Sequence, residues 1–266
     1  MRTVTANIIE RREFKYLIDP ATADRVRAAI RPFCELDPWA ARNPGGRYAI
    51  ESLYFDTRDL TLFWANEHEQ VDRFKARVRH YPEVRGGPVF FEIKRRYNDV
   101  IAKTRGKVPR DVWQRLLTDP AAPIPDAVAG KDRPAVERFL ALARSLHLQP
   151  YTLVRYDREP HFSRVDDYVR VTFDSNIRAQ LLQRVDFDAP PHRWRALDDA
   201  VTQRLCEPDS RIVLEIKFTN IIPLWLLHIV ERLGLLRRSF SKYGTSIRAF
   251  YETRDFRTAR CAGGWR

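Results

Sequence analysis

The stretch DRFKARVRHY, residues 72–81, places a basic side chain at every second position and an apolar one between. Successive side chains of a β-strand point to opposite faces, so this period of two predicts a strand with two unlike faces. Phe74, Ala76 and Val78 form one face, and Arg73, Lys75, Arg77 and Arg79 form the other. In VFFEIKRRY, residues 89–97, Val89, Phe91 and Ile93 oppose Glu92, Lys94 and Arg96. The split recurs with Phe14, Tyr16 and Ile18 against Arg11, Glu13 and Lys15, and with Leu214, Ile216 and Phe218 against Glu215 and Lys217. Lys103, Arg105 and Lys107 share a face, as do Arg170, Thr172 and Asp174. Six strands therefore carry one apolar and one ionic face.

A solvated outer face is the ordinary reading of one such strand. The set argues against it. With Arg155 added, these faces hold fourteen Lys or Arg against four Asp or Glu. An array so rich in one sign repels itself unless an anion lies among the side chains. Closing the sheet into an antiparallel barrel, with the charges inside and helices packed on the apolar outside, provides that place. The expected fold is thus α+β, a tunnel with a charged interior.

The rest of the chain fits one elaborated domain spanning residues 1–266. Helical periodicity runs from Pro109 to about Leu148, where a helical subdomain is expected, and again at PLWLLHIVERLGLL and TSIRAFYE. Residues 184–208 are poorly periodic and read as a surface excursion. The three cysteines are odd in number and far apart, which fits a reducing cytoplasm, and neither a secretory signal nor an apolar run of spanning length is visible. Ile221 to Leu236 reads as a buried or amphipathic helix, which leaves peripheral membrane contact open.

A net charge of +12 implies a polyanionic partner. Guanidinium forks and ammoniums suit a triphosphate, over whose oxygens they distribute charge-assisted hydrogen bonds. Glu215, and with it Glu13 or Glu92, is the candidate ligand for Mg²⁺ or Mn²⁺, which take one or two protein carboxylates plus phosphate oxygens. Gly106-Lys107 lacks the remainder of a P-loop, and the six histidines form no HxH or HExxH spacing. Nucleic acid is not the expected partner, because the aromatic residues mostly lie opposite the bases.

EFKY at 13–16, SLYFDT at 52–57, KARVR at 75–79, FEIK at 91–94, Lys103, VRVTFD at 169–174, LEIK at 214–217 and SKYG at 241–244 occur in an order that resembles the VTC (vacuolar transporter chaperone) catalytic domain, of the CYTH or triphosphate tunnel metalloenzyme superfamily. The resemblance runs from about residue 9 to 250. It implies a polyphosphate polymerase that passes the γ-phosphate of ATP to a growing polyphosphate chain, with Mn²⁺ or Mg²⁺. It implies phosphate-binding roles for Lys15, Arg77, Arg79, Lys94, Lys103, Arg155, Arg170 and Lys242, assistance from Ser241, and a metal on Glu215. Arg77, Arg79, Lys94 and Lys242 are the expected catalytic group, and Arg11, Lys75 and Lys217 join the phosphate-binding set by strand face. Arg158 is an alternative to Arg155, and Ser239 stands where a further lysine is expected, with Arg237 or Arg238 as substitutes. A triphosphate hydrolase of the same fold and a non-catalytic polyphosphate sensor are the competing readings. Pyrophosphate and a membrane protein are further candidate partners.

Overall fold

The alternation over residues 72–81 is realised as a strand, Asp72–His80, in a largely antiparallel sheet flanked by helices. The computed structural model describes residues 11–98, 100–166, 168–182, 184–198 and 212–251. In chain order these form β1 (Arg11–Ile18), α1 (Pro20–Ile30), β2 (Cys34–Leu36), β3 (Tyr48–Asp56), α2 (Thr61–Glu67), β4 (Asp72–His80), β5 (Val89–Tyr97) and β6 (Val100–Val108). There follow α3 (Trp113–Thr118), α4 (Arg133–Ser145), β7 (Gln149–Ser163), β8 (Arg170–Leu181), β9 (Arg195–Ala196), β10 (Ile212–Thr219), α5 (Leu224–Arg232) and α6 (Lys242–Tyr251). The backbone forms two compact units. β7 and β8 each contribute to both.

The first unit holds β1, α1, β2, β10, α5, the end of β7 and the start of β8. β1 pairs with β10 and β10 with β8, both antiparallel. The register sets Lys15 opposite Glu215 and Glu215 opposite Thr172, so the ionic residues of three strands share a face. On the other face Tyr16, Phe173, Leu214 and Ile216 pack with Ala23, Val26 and Ile30 of α1 and with Leu226 and Ile229 of α5. Asp19 starts α1 by accepting the Thr22 N–H at 2.8 Å, and Pro20 occupies the first turn, where its missing N–H costs nothing.

The second unit holds β3 to β6, α2 to α4, α6, β9 and the remaining parts of β7 and β8. Leu53, Phe55, Ala76, Val78, Phe91 and Ile93 pack beneath α3 and α4, contacting a core that includes Trp113, Val136, Phe139 and Leu140. The helical block expected near 109–148 is thus the cover of this sheet's apolar face. Gly106 makes the close approach possible: a Cβ there would lie 2.7 Å from Val136 Cγ2 and 2.9 Å from the Asp132 carbonyl. The glycine serves helix packing on a strand.

The hydrogen-bonded strand order is β1-β10-β8-β7-β3-β4-β5-β6, with β2 on β7 and β9 on β8. Among the described residues, β1 and β6 do not pair, so hydrogen bonds do not close the expected barrel. The outer edge of β1 is already used: Tyr16 forms a bridge with Arg237, and Arg238 N–H donates to the Lys15 carbonyl at 2.8 Å. α6 begins three residues before the expected TSIRAFYE start, because the Ser241 hydroxyl accepts the Gly244 N–H at 3.0 Å and caps the first turn. Of the poorly periodic 184–208 stretch, the described part includes β9, while residues 199–208 lie outside the described residues. So do residues 8–10, where the first strand was expected to start.

Candidate functional site

In the second unit, the register of β4, β5 and β6 stacks the basic positions in rows. Lys75 stands opposite Lys94, and Lys94 opposite Lys103. In the next row Tyr54, Arg77, Glu92 and Arg105 follow one another across β3 to β6. Glu92 is the one carboxylate among the described residues of this face on β4 to β6, and it is 1% exposed. Arg77 Nη2 lies 2.6 Å from it, Lys103 Nζ 3.0 Å, Arg105 Nε 3.4 Å and Arg79 Nε 4.0 Å. Four cations therefore surround a single negative charge.

The excess shows in the titration of both signs. Burial alone would raise the Glu92 carboxyl, but Arg79, Arg77 and Lys103 hold it far below the usual carboxylate range. Burial lowers the Lys103 ammonium, and Arg79 and Arg77 add to this against the pull of Glu92, so that Lys103 is pushed down to about 8. In the unliganded protein the sign is that of a depressed base: stability rises as pH passes from about 8 toward the unfolded lysine value, because deprotonation relieves the crowding. A phosphate chain has the opposite preference and binds the protonated form. Affinity for tripolyphosphate is expected to fall between about pH 7 and 9, more steeply for the parent than for Lys103→Arg, as measured by calorimetry. Parallel profiles in the two proteins would dissociate the effect from Lys103.

Tyrosines line the same face. Arg77 Nη1 donates to the Tyr54 hydroxyl at 3.0 Å, and Arg79 Nη2 to the Tyr156 hydroxyl at 3.3 Å. Arg105 stacks its guanidinium 3.7 Å above the Phe90 ring centre. Helix α6 also packs on this side of β3 and β7. Tyr243 stacks on Tyr54 at 5.1 Å and donates to Asp56, whose carboxylate also accepts the Leu62 and Phe63 N–H groups at 2.8 Å each. Ser246 and Thr152 join hydroxyls at 3.0 Å. These contacts bring the first turn of α6 up to the cationic face, with Lys242 Nζ 4.5 Å above the Tyr156 ring. Ser241 precedes it as the helix cap, so an anion here also meets N–H groups at a helix N-terminus.

The first unit has a different balance. Glu13, Lys15, Arg158, Arg170, Asp174, Glu215 and Lys217 form a nearly neutral group. Arg158 holds Asp174 with two bonds of 2.7 Å and reaches Glu215 Oε2 at 3.0 Å, where Lys217 Nζ also lies at 3.0 Å. The Lys15 ammonium lies 3.2 Å from Glu13 Oε1 and 3.9 Å from Glu215 Oε1, and donates to the Phe240 carbonyl at 2.8 Å. Arg170 stands opposite Lys217, its guanidinium 4.4 Å above the Phe162 ring. The Glu13 and Glu215 carboxylates are the oxygen donors here that a hard divalent cation could take, in place of the Lys15 ammonium between them, since Mg²⁺ or Mn²⁺ takes one or two protein carboxylates with phosphate and water oxygens. Among the described residues, no group of three or more His, Cys, Asp or Glu forms an all-protein cage.

Most of the expected ligands therefore fall into two local groups. Lys75, Arg77, Arg79, Lys94, Lys103 and Lys242 belong to the second unit, and Lys15, Arg170, Glu13, Glu215 and Lys217 to the first. Arg155 stands apart. It donates to Glu51 at 2.9 Å, and Glu51 meets His80 Nε2 at 2.6 Å. Glu51 pairs with His80 in register, one residue out of phase with the Ser52 and Arg79 pair, so it lies on the opposite face from the cations. Arg158, with Tyr156, points to the ionic side. Arg11 opens β1 opposite Thr219, and its side chain lies outside the described residues. Tyr54, Tyr156 and Asp174 were not assigned roles from the sequence. Period-two alternation in SLYFDT and VRVTFD is the signal that places Tyr54 and Asp174.

The ionic face of the second unit gathers Arg77, Arg79, Lys103 and Arg105 around the one carboxylate of Glu92, an arrangement of the kind that suits polyanions. The chain belongs to the VTC domain family, whose model matches residues 10–251. No match was found among curated protein sequences. Among solved structures it is similar to a proposed adenylate cyclase from Bacillus halodurans, with 12% identity, 88% of this chain and 94% of that one covered, and a TM-score of 0.47. It is also similar to a proposed adenylyl cyclase from Hippeastrum described as having a dominant triphosphatase activity, with 13% identity, 91% and 96% coverage and a TM-score of 0.47. Among the described residues, no helix is long and apolar enough to cross a membrane.

Proposed function

We propose that this protein is a polyphosphate polymerase that transfers the γ-phosphoryl group of ATP to the end of an inorganic polyphosphate chain. The observation that carries this reading is the surplus of cations around Glu92, with the Lys75, Lys94 and Lys103 row beside it. A single phosphate would leave much of that surplus unmatched, whereas a chain of phosphates spans several rows. In the transfer, a terminal phosphate oxygen of the acceptor bonds to the γ-phosphorus, the bond from that phosphorus to the β,γ-bridging oxygen breaks, and ADP departs with the electron pair. Both reactants are anions, so the main tasks are alignment and neutralisation.

Arg77, Arg79, Lys94 and Lys242 would hold the donor and acceptor oxygens, with Lys75, Lys103 and Ser241 extending the contact. Arg158 is preferred to Arg155 as a ligand because it lies on the ionic side. Glu215 and Glu13 would hold Mn²⁺ or Mg²⁺. A bound metal supplies charge neutralisation to phosphate oxygens. Lys15, Arg158 and Lys217 contact Glu215 and fix its orientation for that role.

The experiment is incubation of the protein with ATP and Mn²⁺, with products resolved on a gel. Long-chain polyphosphate is the expected result. Free phosphate without polymer would make the protein a triphosphate hydrolase, and tight polyphosphate binding with no turnover would make it a sensor.

A further inference from the structure

We infer that the end of the first unit carrying the turn between β10 and α5 docks on an anionic lipid surface. Three aliphatic side chains protrude there into solvent: Ile221 is 82% exposed, Leu224 70% and Val165 60%. The segments that carry Val165 and Leu224 are joined by defined contacts. Trp225, next to Leu224, donates its indole N–H to Asp166, next to Val165, at 2.8 Å. The same indole stacks on Phe33 at 4.6 Å, and the Phe33 carbonyl accepts the Arg164 N–H at 2.8 Å. The protruding residues thus sit on a braced platform.

The rim is basic. Arg164 is exposed and bonds to the carbonyls of Arg31 and Pro32 at 3.2 and 3.3 Å, which places Arg31, also exposed, beside it. β1 begins with Arg11 paired to Thr219, two residues before Ile221, and this brings exposed Arg12 to the same end. The Asp166 carboxylate is turned inward, accepting from Trp225 and from the Ser163 hydroxyl. Exposed aliphatics ringed by arginine, on a chain of net charge +12, match a bilayer of anionic headgroups over acyl chains. A protein partner would have to supply both an apolar pocket and an acidic ring. A phosphatidylglycerol bilayer has both by composition.

The test is co-sedimentation of the full chain with phosphatidylglycerol vesicles and with phosphatidylcholine vesicles. The parent is expected to bind the first and not the second. The triple variant V165S/I221S/L224S keeps every charge, and its partition onto phosphatidylglycerol is expected to fall at least about tenfold. Leu224→Ser alone, at an exposed position, should give a smaller loss in the same direction. Equal binding of parent and triple variant would reduce the effect to net charge and overturn the inference. So would failure of the parent to bind, binding of both vesicle types alike, or a dimer in sedimentation equilibrium that the triple variant dissolves. None of these outcomes depends on polymerase activity.

Discussion

Replacing Glu92 by Gln is expected to destabilise the unliganded protein by about 3–5 kcal/mol, the usual cost of breaking a buried ion pair by removing one partner. The change preserves shape and removes one charge. It leaves Arg77, Arg79, Lys103 and Arg105 facing one another without the carboxylate that each approaches within 4.0 Å. Lys103 and Arg105 are partly exposed and can swing toward water, whereas Arg79 is buried and Arg77 is largely enclosed. Acid should act in the same way. The folded-state carboxyl of Glu92 is held below its unfolded value, so its contribution is present at neutral pH and is lost progressively as pH falls below about 4.5.

The diagnostic part is rescue by a ligand. A polyanion in the cluster replaces the lost charge, so millimolar tripolyphosphate should raise the melting temperature of Glu92→Gln more than that of the parent. Ligand at about a thousandfold above its Kd contributes about 4 kcal/mol, enough to offset most of the loss. Thermal denaturation with and without tripolyphosphate measures both quantities. An unchanged melting temperature in the unliganded variant would show that the cations do not depend on Glu92. A loss that tripolyphosphate leaves in place would show that the cluster is structural.

The faces of β1, β4, β5 and β10 were legible because each strand has one face in a core and one that is ionic, so the alternation is clean. β7 was not, since Leu153, Val154 and Tyr156 are all buried and its alternation is blurred just where the choice between Arg155 and Arg158 had to be made. Barrel closure was not legible either. Alternation specifies which face is charged, but pairing at a sheet edge depends on what else reaches that edge, and at β1 this is Arg237 and Arg238. Helix α6 hides its position for a related reason. Its contacts with Tyr54, Asp56 and Thr152 come from segments at least 90 residues away in sequence, and nothing in SKYGTSIRAFY announces that it packs on the ionic side.

Arg79→Ala should weaken tripolyphosphate binding by at least about 100-fold, with a smaller loss of melting temperature than Arg77→Ala. Arg79 is buried, yet its approach to Glu92 is 4.0 Å, outside hydrogen-bond range, and its Nε has no hydrogen-bond partner among the described residues. Glu92 makes its shorter contacts with Arg77 and Lys103. A buried guanidinium that reaches its nearest carboxylate only at 4.0 Å, and shares it with three other cations, keeps hydrogen-bonding capacity for an incoming anion. Each hydrogen bond to a charged group contributes about 1.5–3 kcal/mol, so loss of a forked pair to phosphate corresponds to at least two orders of magnitude in affinity. Arg77→Ala provides the contrast, because Arg77 is also the closest partner of Glu92, and its removal should reduce both affinity and stability. Calorimetric titration of both variants, with melting temperatures measured on the same samples, separates the roles. A fall in the melting temperature of Arg79→Ala with affinity unchanged would make Arg79 a structural residue and remove the principal support for an anion site on this face.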